Sequence, residues 1–232
     1  MSIQIDILNR TTVLKEPEIE PVLAALDIQI NRDYKKYWGE GATLHHVPQG
    51  SPASKHHWWI ALFDNSDMAR ALGYHDVTST GMPLGKVFVK TTMDDGGLWT
   101  VTLSHEILEM LADPEINLIA QVGGKFVAYE NCDACERDNF GYSIDSVTLS
   151  DFVTPLFFSN SFGPNAVFDF QMHIQRPLQI LHGGYLSFLT NNGWTQVYAD
   201  RDTKTYAMRP PVGSRRERRR IGRDGWLASS AE

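Results

Sequence analysis

Cysteine is scarce in this 232-residue chain, which has only Cys132 and Cys135, so a framework of several disulfides is excluded. The two are spaced as CxxC, but a zinc site built from four thiolates would need a second such pair. A redox pair is also disfavoured, because the flanking acidic residues raise thiol pKa values rather than lower them. We therefore expect two ordinary reduced thiols.

Long apolar runs are also missing. No stretch approaches the roughly 18 apolar residues of a membrane-spanning helix, and the first residues lack the basic start and apolar run of a secretory signal. Hydrophobic residues make up 42% and charged residues 21% of the chain, as in soluble globular proteins. We expect no membrane partner and a cytoplasmic or virion-associated location.

Positive charge is rare outside one segment. The net charge is −7, yet residues 215–223 hold six arginines against Glu217, which leaves the rest of the chain near −12. An acidic body does not favour nucleic acid, so we expect no such partner except through the arginine-rich tail. That tail could instead contact an acidic partner or the protein's own body, or form a solvated arm. We predict one domain at residues 1–208 and a tail at 209–232.

The hydrophobic periodicity predicts an α+β fold with a loop-rich second half. Apolar residues at helical spacing predict helices over 16–38 and 99–112, the second ended by Asp113-Pro114. Strands are predicted at 3–8, 42–47, 57–63 and 86–91. Beyond Pro114, short apolar runs among glycine, asparagine and proline predict irregular strands and loops, at 125–129, 146–149, 152–158 and 184–188.

The helix predicted over 99–112 has a narrow polar face. At about 100° per residue, Glu109, Asp113 and Glu106 lie within roughly 100° of His105, and most other directions are apolar. Such a helix is expected to be buried almost all round. Carboxylates crowded on a buried face repel one another and are costly to desolvate, and a divalent cation relieves both costs. The alternative is a structural helix held by salt bridges.

The string His-Glu-x-x-Glu follows the logic of His-Glu-x-x-His zinc helices. His105 and Glu109, four residues apart, become zinc ligands, and Glu106 becomes the general base that takes a proton from the attacking water. Replacing the second histidine by glutamate adds negative charge and makes the metal's identity less certain. We therefore predict a Zn²⁺ cofactor.

A catalytic zinc ion usually has three protein ligands, so a third is needed from elsewhere. The segment 129–136 offers Glu130 as first choice and Asp133 as second, and His75 remains among the other candidates. Asp113 is two helical turns from His105, so it is expected to stop the helix or support the ligands.

Further residues are candidates by chemical type. His75 could stabilise an oxyanion or orient a substrate, or simply pair with its neighbour Asp76 in a loop. Tyr142 and Tyr129 are candidate oxyanion donors. The adjacent pairs at 45–46 and 56–57 are not expected to form sites, because neighbouring residues on a strand face opposite sides.

Several stretches carry a resemblance to a known family: residues 73–76, 81–89, 99–114, 129–133, 144–147, 150–155 and 168–170. Together with the motif Ser-His-Glu-x-x-Glu-x-x-x-Asp-Pro at 104–114, they resemble a family of bacterial and phage-associated proteins. The resemblance covers roughly residues 70–190 and implies a zincin-like metallopeptidase fold, in which a mixed sheet packs on the active-site helix. Ala134 stands where the family tends to have proline, and the arginine-rich tail is not part of the pattern.

Three functions fit these features. The first is a zinc-dependent peptidase acting on a peptide or protein substrate, with residues 86–91 as the sheet edge to which an extended substrate adds. The second is a catalytically silent zincin-like structural or assembly component, for example of a phage virion. The third is a metal hydrolase of non-peptide amides, which would use the same machinery. Glu106 favours activity, because a silent protein has no need of a base.

Overall fold

The computed structural model describes residues 2–68, 71–199 and 206–207, so the predicted tail at 209–232 lies outside the described residues. The fold is mixed α+β, as predicted. Its first half is a five-stranded mixed sheet in the order β2-β1-β3-β5-β4, in which only the pairing of β4 with β5 is antiparallel. These strands are β1 (Ile3–Asn9), β2 (Ala42–Val47), β3 (Trp58–Phe63), β4 (Gly73–Val77) and β5 (Pro83–Phe88).

The predicted helix over 16–38 forms, but in three parts. It comprises α1 (Glu16–Ile28), a π-helical stretch (Gln29–Tyr34) and α2 (Lys35–Trp38). Gly39 ends it with φ of 80°, a left-handed conformation that glycine adopts without steric cost. The π-helical stretch was not predicted from the sequence, since its apolar residues keep the spacing of an ordinary helix.

The helix α4 (Trp99–Ala112) forms over the predicted residues and is buried on nearly all sides. It packs against β4, β5 and a short hairpin strand, β9 (Val147–Leu149). Burial of Ile5, Ile7 and Val87 from the sheet together with Leu103 and Ile107 of α4 joins these elements in one core. None of the described helices is both long and apolar enough to cross a bilayer.

The strand predicted over 86–91 differs from the structure in two ways. It ends at Phe88, and the short helix α3 (Val89–Asp94) follows, despite the β-branched residues Val89, Thr91 and Thr92. The Thr92 hydroxyl donates to the Phe88 carbonyl at 2.8 Å, so local hydrogen bonding overrides the β propensity. The strand also lies between β3 and β4, so the expected substrate edge at 86–91 is wrong; the terminal strand at that end of the sheet is β4.

The second half is more regular than predicted. A five-stranded antiparallel sheet runs in the order β12-β11-β10-β7-β6. Its strands are β6 (Ile119–Val122), β7 (Lys125–Ala128), β10 (Tyr185–Thr190), β11 (Gly193–Tyr198) and β12 (Tyr206–Ala207), and a hairpin of β8 (Tyr142–Ile144) with β9 stands apart. The strand predicted over 152–158 is instead a single bridge at Val153 and a 3-10 helix at Pro155–Phe158.

The segment from Glu130 to Cys135 joins the two halves. Cys132 is buried in the core that contains α4, while Ala134 and Cys135 are buried in a separate core of the second half. The backbone N–H groups of Val153 and Leu181 donate to carbonyls of this segment at 2.7 and 2.9 Å. The segment is therefore fixed from both sides, directly beside α4.

Candidate metal centre

His105 and Glu109 meet on the face of α4 that the sequence predicted. Their Nε2 and Oε2 atoms are 3.1 Å apart, and their side chains are only 13% and 5% exposed. Residues four apart lie one above the other on a helix, so this approach follows from the helix alone. The buried pair provides two groups that can bind one cation.

The orientation of α4 is fixed by a polar contact on its opposite side. The Ser104 hydroxyl donates to Gln29 Oε1 at 2.7 Å and accepts from the Ser150 N–H at 3.1 Å. The Gln29 amide in turn donates to the Ser150 carbonyl at 2.9 Å. Because all three groups are buried, losing one would leave the others without partners, so this closed network fixes the rotation of the helix.

The segment after β7 brings further candidate ligands to the helix. The Asn131 side-chain amide donates to the Leu108 carbonyl at 3.2 Å, and this contact ties the segment to α4. The Cys132 N–H donates to Glu109 Oε1 at 3.2 Å, which orients that carboxylate. Asp133 Oδ1 lies 3.5 Å from His105 Nε2. Asp133 is thus brought beside the His105–Glu109 pair, as its sequence position suggested.

His75 approaches the same pair from β4 rather than from a loop. Its Nδ1 lies 3.2 Å from Glu106 Oε2 and 3.6 Å from Glu109 Oε2, and its Nε2 lies 3.6 Å from Glu130 Oε2. Glu130, the first choice for a third ligand, is therefore next to His75 rather than next to His105.

Gly73 allows β4 to come this close to α4. A Cβ atom at residue 73 would lie 2.7 Å from Glu106 Oε1 and 2.8 Å from Thr102 Cγ2. Real Cβ atoms do not approach neighbours so closely, so any residue other than glycine would displace the Glu106 and Thr102 side chains or the strand.

Burial and crowding shift the pKa values of these groups. Burial alone would lower the pKa of His75, but the Glu106 hydrogen bond and the charges of Glu130 and Glu109 raise it to about 9. Burial raises the pKa of Glu109 to about 8, although the neighbouring His105 opposes this. Burial also raises the pKa of Glu136 to about 8, and the charge of Asp133 adds to the shift. A cation in this cluster would displace protons and relieve the crowding.

Two sets of three side chains bring ligand atoms within 4.8 Å of one another. One is His105, Glu109 and Cys132, and the other is His75, Glu106 and Glu109. Imidazole nitrogen, thiolate sulfur and carboxylate oxygen are the donors that zinc prefers. The donor chemistry therefore fits a zinc ion, and Glu109 is common to both sets.

Cys132 is a candidate ligand that the sequence reasoning missed. The sequence predicts it only as a reduced thiol, although it stands between the candidates Glu130 and Asp133. Burial raises its pKa well above the ordinary value, so the thiol is protonated in the absence of a cation. Its position within the candidate ligand segment, residues 129–136, is the sequence feature that could have identified it as a candidate ligand. Cys135, which is also buried, packs in the other core.

The structure places several other candidates away from the cluster. The Tyr142 hydroxyl donates to Asp33 Oδ2 at 3.0 Å, and its ring packs on Phe170. The Asp113 carboxylate accepts from the N–H groups of Asn117 and Leu118, so it closes the turn after α4. Tyr129 contacts Trp38 edge to face and Phe158 at a tilt. The histidine pairs also contact other groups, since His45 stacks on His57 and His46 pairs with Glu16.

A different tyrosine, Tyr185 of β10, reaches the cluster. Burial, with the charges of the neighbouring Asp133 and Glu136, raises the pKa of its hydroxyl well above the ordinary value. Sequence reasoning could not find it, because it follows Asp133 by about fifty residues and no motif marks it.

Comparisons with protein-family models, curated proteins and solved structures found no match to this chain. Its function must therefore be argued from the geometry of the cluster.

Proposed function

We propose that the protein is a zinc-dependent hydrolase with a zincin-like architecture, and that its substrate is a peptide bond. The observation that carries the proposal is the trio His105, Glu109 and Cys132, whose ligand atoms converge while Glu106 stays outside the trio. A bound zinc ion would supply Lewis acidity and lower the pKa of a water molecule. Asp133, whose Oδ1 lies 3.5 Å from His105 Nε2, is the next candidate ligand after the trio.

Glu106 is suited to act as the general base. It is 5% exposed and follows His105 directly, so its carboxylate lies beside the trio rather than within it. On this proposal Glu106 accepts a proton from the attacking water and passes it to the leaving nitrogen. His75 Nδ1, 3.2 Å from Glu106 Oε2, is a positioning group that fixes this carboxylate.

The terminal strand β4 supports a peptide as substrate. It carries His75 and packs against α4, so a chain that paired with its outer side would run past Glu106. Extended peptides bind sheet edges through main-chain hydrogen bonds, which suits substrates of varied sequence. A non-peptide amide would use the same proton transfers but would not form main-chain hydrogen bonds with the edge of β4.

The competing proposal is a catalytically silent protein that keeps the architecture for stability or assembly. The burial of Glu106 argues against it, because an ionisable group is costly to bury and this one has no place in the trio that holds the metal. The test begins with metal analysis of the purified protein and continues with cleavage of a peptide library by the wild type and by Glu106→Gln. Glu20→Gln, at an exposed position on α1, is the matched control.

We expect bound zinc in all three proteins, with cleavage by the wild type and the control only. Zinc without any cleavage that depends on Glu106 would favour the silent protein. Absence of metal from the wild type would contradict the metal centre itself.

A further inference from the structure

We propose that His75, Glu106 and Glu109 form a second, weaker divalent-cation site beside the zinc site of the proposed function, on which this inference rests. The ligand atoms of this second trio also lie within 4.8 Å of one another. Glu109 belongs to both trios, and its Oε2 lies 3.1 Å from His105 Nε2 and 3.6 Å from His75 Nδ1. A carboxylate placed between two imidazoles in this way can bridge two cations.

His75 provides an independent reason to expect a ligand. Its side chain is 6% exposed, and within the described part of the chain its Nε2 makes no hydrogen bond. Three carboxylates, those of Glu106, Glu109 and Glu130, lie within 4 Å of its ring nitrogens, whereas a neutral imidazole can donate from only one nitrogen. A cation on Nδ1 would leave Nε2 as the donor toward Glu130. The alternative is an imidazole protonated on both nitrogens. Added zinc would bind to the ring in the first case and would not bind to it in the second.

The charge of the cluster exceeds what one ion can neutralise. Three of its carboxylates, those of Glu106, Glu109 and Asp133, are at most 5% exposed. Glu130 lies against His75, and Glu136 is close enough to Asp133 and Glu106 for their charges to raise its pKa. When all five carboxylates are ionised and Cys132 binds as a thiolate, the cluster carries six negative charges, of which one divalent cation balances two and two cations balance four. Arg137, near Glu136, is a further positive group, so two ions leave the cluster close to neutral.

Occupancy of the second site has a chemical consequence. Its ion takes Glu106 as a ligand, and a carboxylate bound to a cation no longer accepts the proton from water. The second site is therefore inhibitory: zinc at low concentration fills the first trio and supports hydrolysis, and zinc in excess suppresses it. The first trio contains the Cys132 sulfur, a donor that zinc binds well, and the second contains none, so the first is expected to fill first.

The test is native mass spectrometry of the full chain titrated with Zn²⁺ alone. We expect the wild type to take up one ion and then, at higher concentration, a second. His75→Ala is expected to stop at one, and so is His75→Gln, which keeps the polar contact with Glu106 if the alanine variant folds poorly. His56→Ala, at an exposed histidine outside the cluster, is the matched control and is expected to bind two.

The outcomes separate this inference from the proposed function. A wild type that stops at one ion in excess zinc, or two ions on both His75 variants, would overturn the second site and leave the first intact. A wild type that binds no zinc would overturn both. Circular dichroism of each variant confirms that the fold is retained.

Discussion

The two sides of the cluster are built in different ways. On the helix side, His105 and Glu109 come from adjacent turns of α4, and their 3.1 Å separation needs no other element. On the strand side, His75 comes from β4 and meets Glu106 and Glu130 only because the sheet, the helix and the later segment pack together. The helix side is therefore a local property of the sequence, whereas the strand side is a property of the whole fold.

On the proposed function, the two sides have different roles. On the helix side, α4 fixes the positions of His105 and Glu109 relative to one another, which favours tight binding of one ion. The strand side carries Glu106 with a histidine that positions it, so it suits proton transfer and responds to small shifts of β4. Substitutions that change one side and leave the other intact test these roles.

The largest expected effect follows from removing Glu106, the proposed base, which lies on α4 beside His75. We expect Glu106→Gln to lower kcat/KM by about 10²–10⁴, because the attacking water loses its proton acceptor. Affinity for the first zinc ion should change by no more than about threefold, since Glu106 lies outside that trio. Steady-state kinetics and competition with a fluorescent chelator measure the two quantities. If weaker zinc binding by the variant explained its whole loss of kcat/KM, the separate roles of the two sides would be contradicted.

The next largest effect compares one histidine from each side. His105→Ala is expected to weaken the first zinc ion by more than about 100-fold, because it removes a direct ligand. His75→Ala should weaken that ion by less than about tenfold. Chelator competition on both variants decides the matter, and equal losses would show that the two imidazoles serve one ion.

A smaller effect is expected from moving β4 away from α4. Gly73→Ala places a Cβ atom against Glu106 and Thr102, so we expect a loss of about 1–3 kcal/mol in the free energy of unfolding. Gly163→Ala, where an added Cβ meets nothing within 4 Å, is the control and should cost less than about 0.5 kcal/mol. Urea denaturation measures both. Equal free energies of unfolding for the two variants would mean that the packing of β4 against α4 does not require glycine at residue 73.

The smallest effect is a pH dependence of stabilisation by zinc. The metal-free protein has raised pKa values, about 8 for Glu109 and about 9 for His75, so these groups hold protons that the unfolded chain loses above about 4.5 and 6.5. Their contribution to stability is present at low pH and is lost as pH rises through the raised values. Zinc replaces those protons, so its stabilising effect grows over the same range.

With one equivalent of zinc, we expect the zinc-induced rise in Tm to be larger near pH 9 than near pH 6, by roughly 2–4 °C. Differential scanning fluorimetry in matched buffers measures it. A rise in Tm that shrinks with pH would contradict the raised pKa values.

The sequence predicted the site residues of α4, Glu106 included, well and the site residues from other elements poorly. The periodicity of α4 and the His-Glu-x-x-Glu spacing placed His105, Glu106 and Glu109 on one face, because helical geometry fixes relative positions within a turn or two. No strand is predicted around His75, and the sheet edge is predicted at residues 86–91. The order of strands depends on long-range pairing, which the local pattern of neither segment records.

The same reason explains the errors in the second half. Tyr142 and Tyr185 are alike by residue type, yet Tyr142 donates to Asp33, whereas Tyr185 lies near Asp133 through the packing of β10 against the segment that follows β7. The short strands there have little periodicity of their own, and the sheet forms through pairing across some sixty residues, as in Val127 with Phe188. Such pairings depend on the whole chain.

The most direct test of the account is anomalous X-ray diffraction at the zinc edge from crystals grown with one equivalent of zinc. The account predicts one strong peak about 2.0–2.3 Å from His105 Nε2, a Glu109 carboxylate oxygen and Cys132 Sγ. A structure with no peak there, in which His105 Nε2 bonds directly to Glu109 and Asp133, would contradict it.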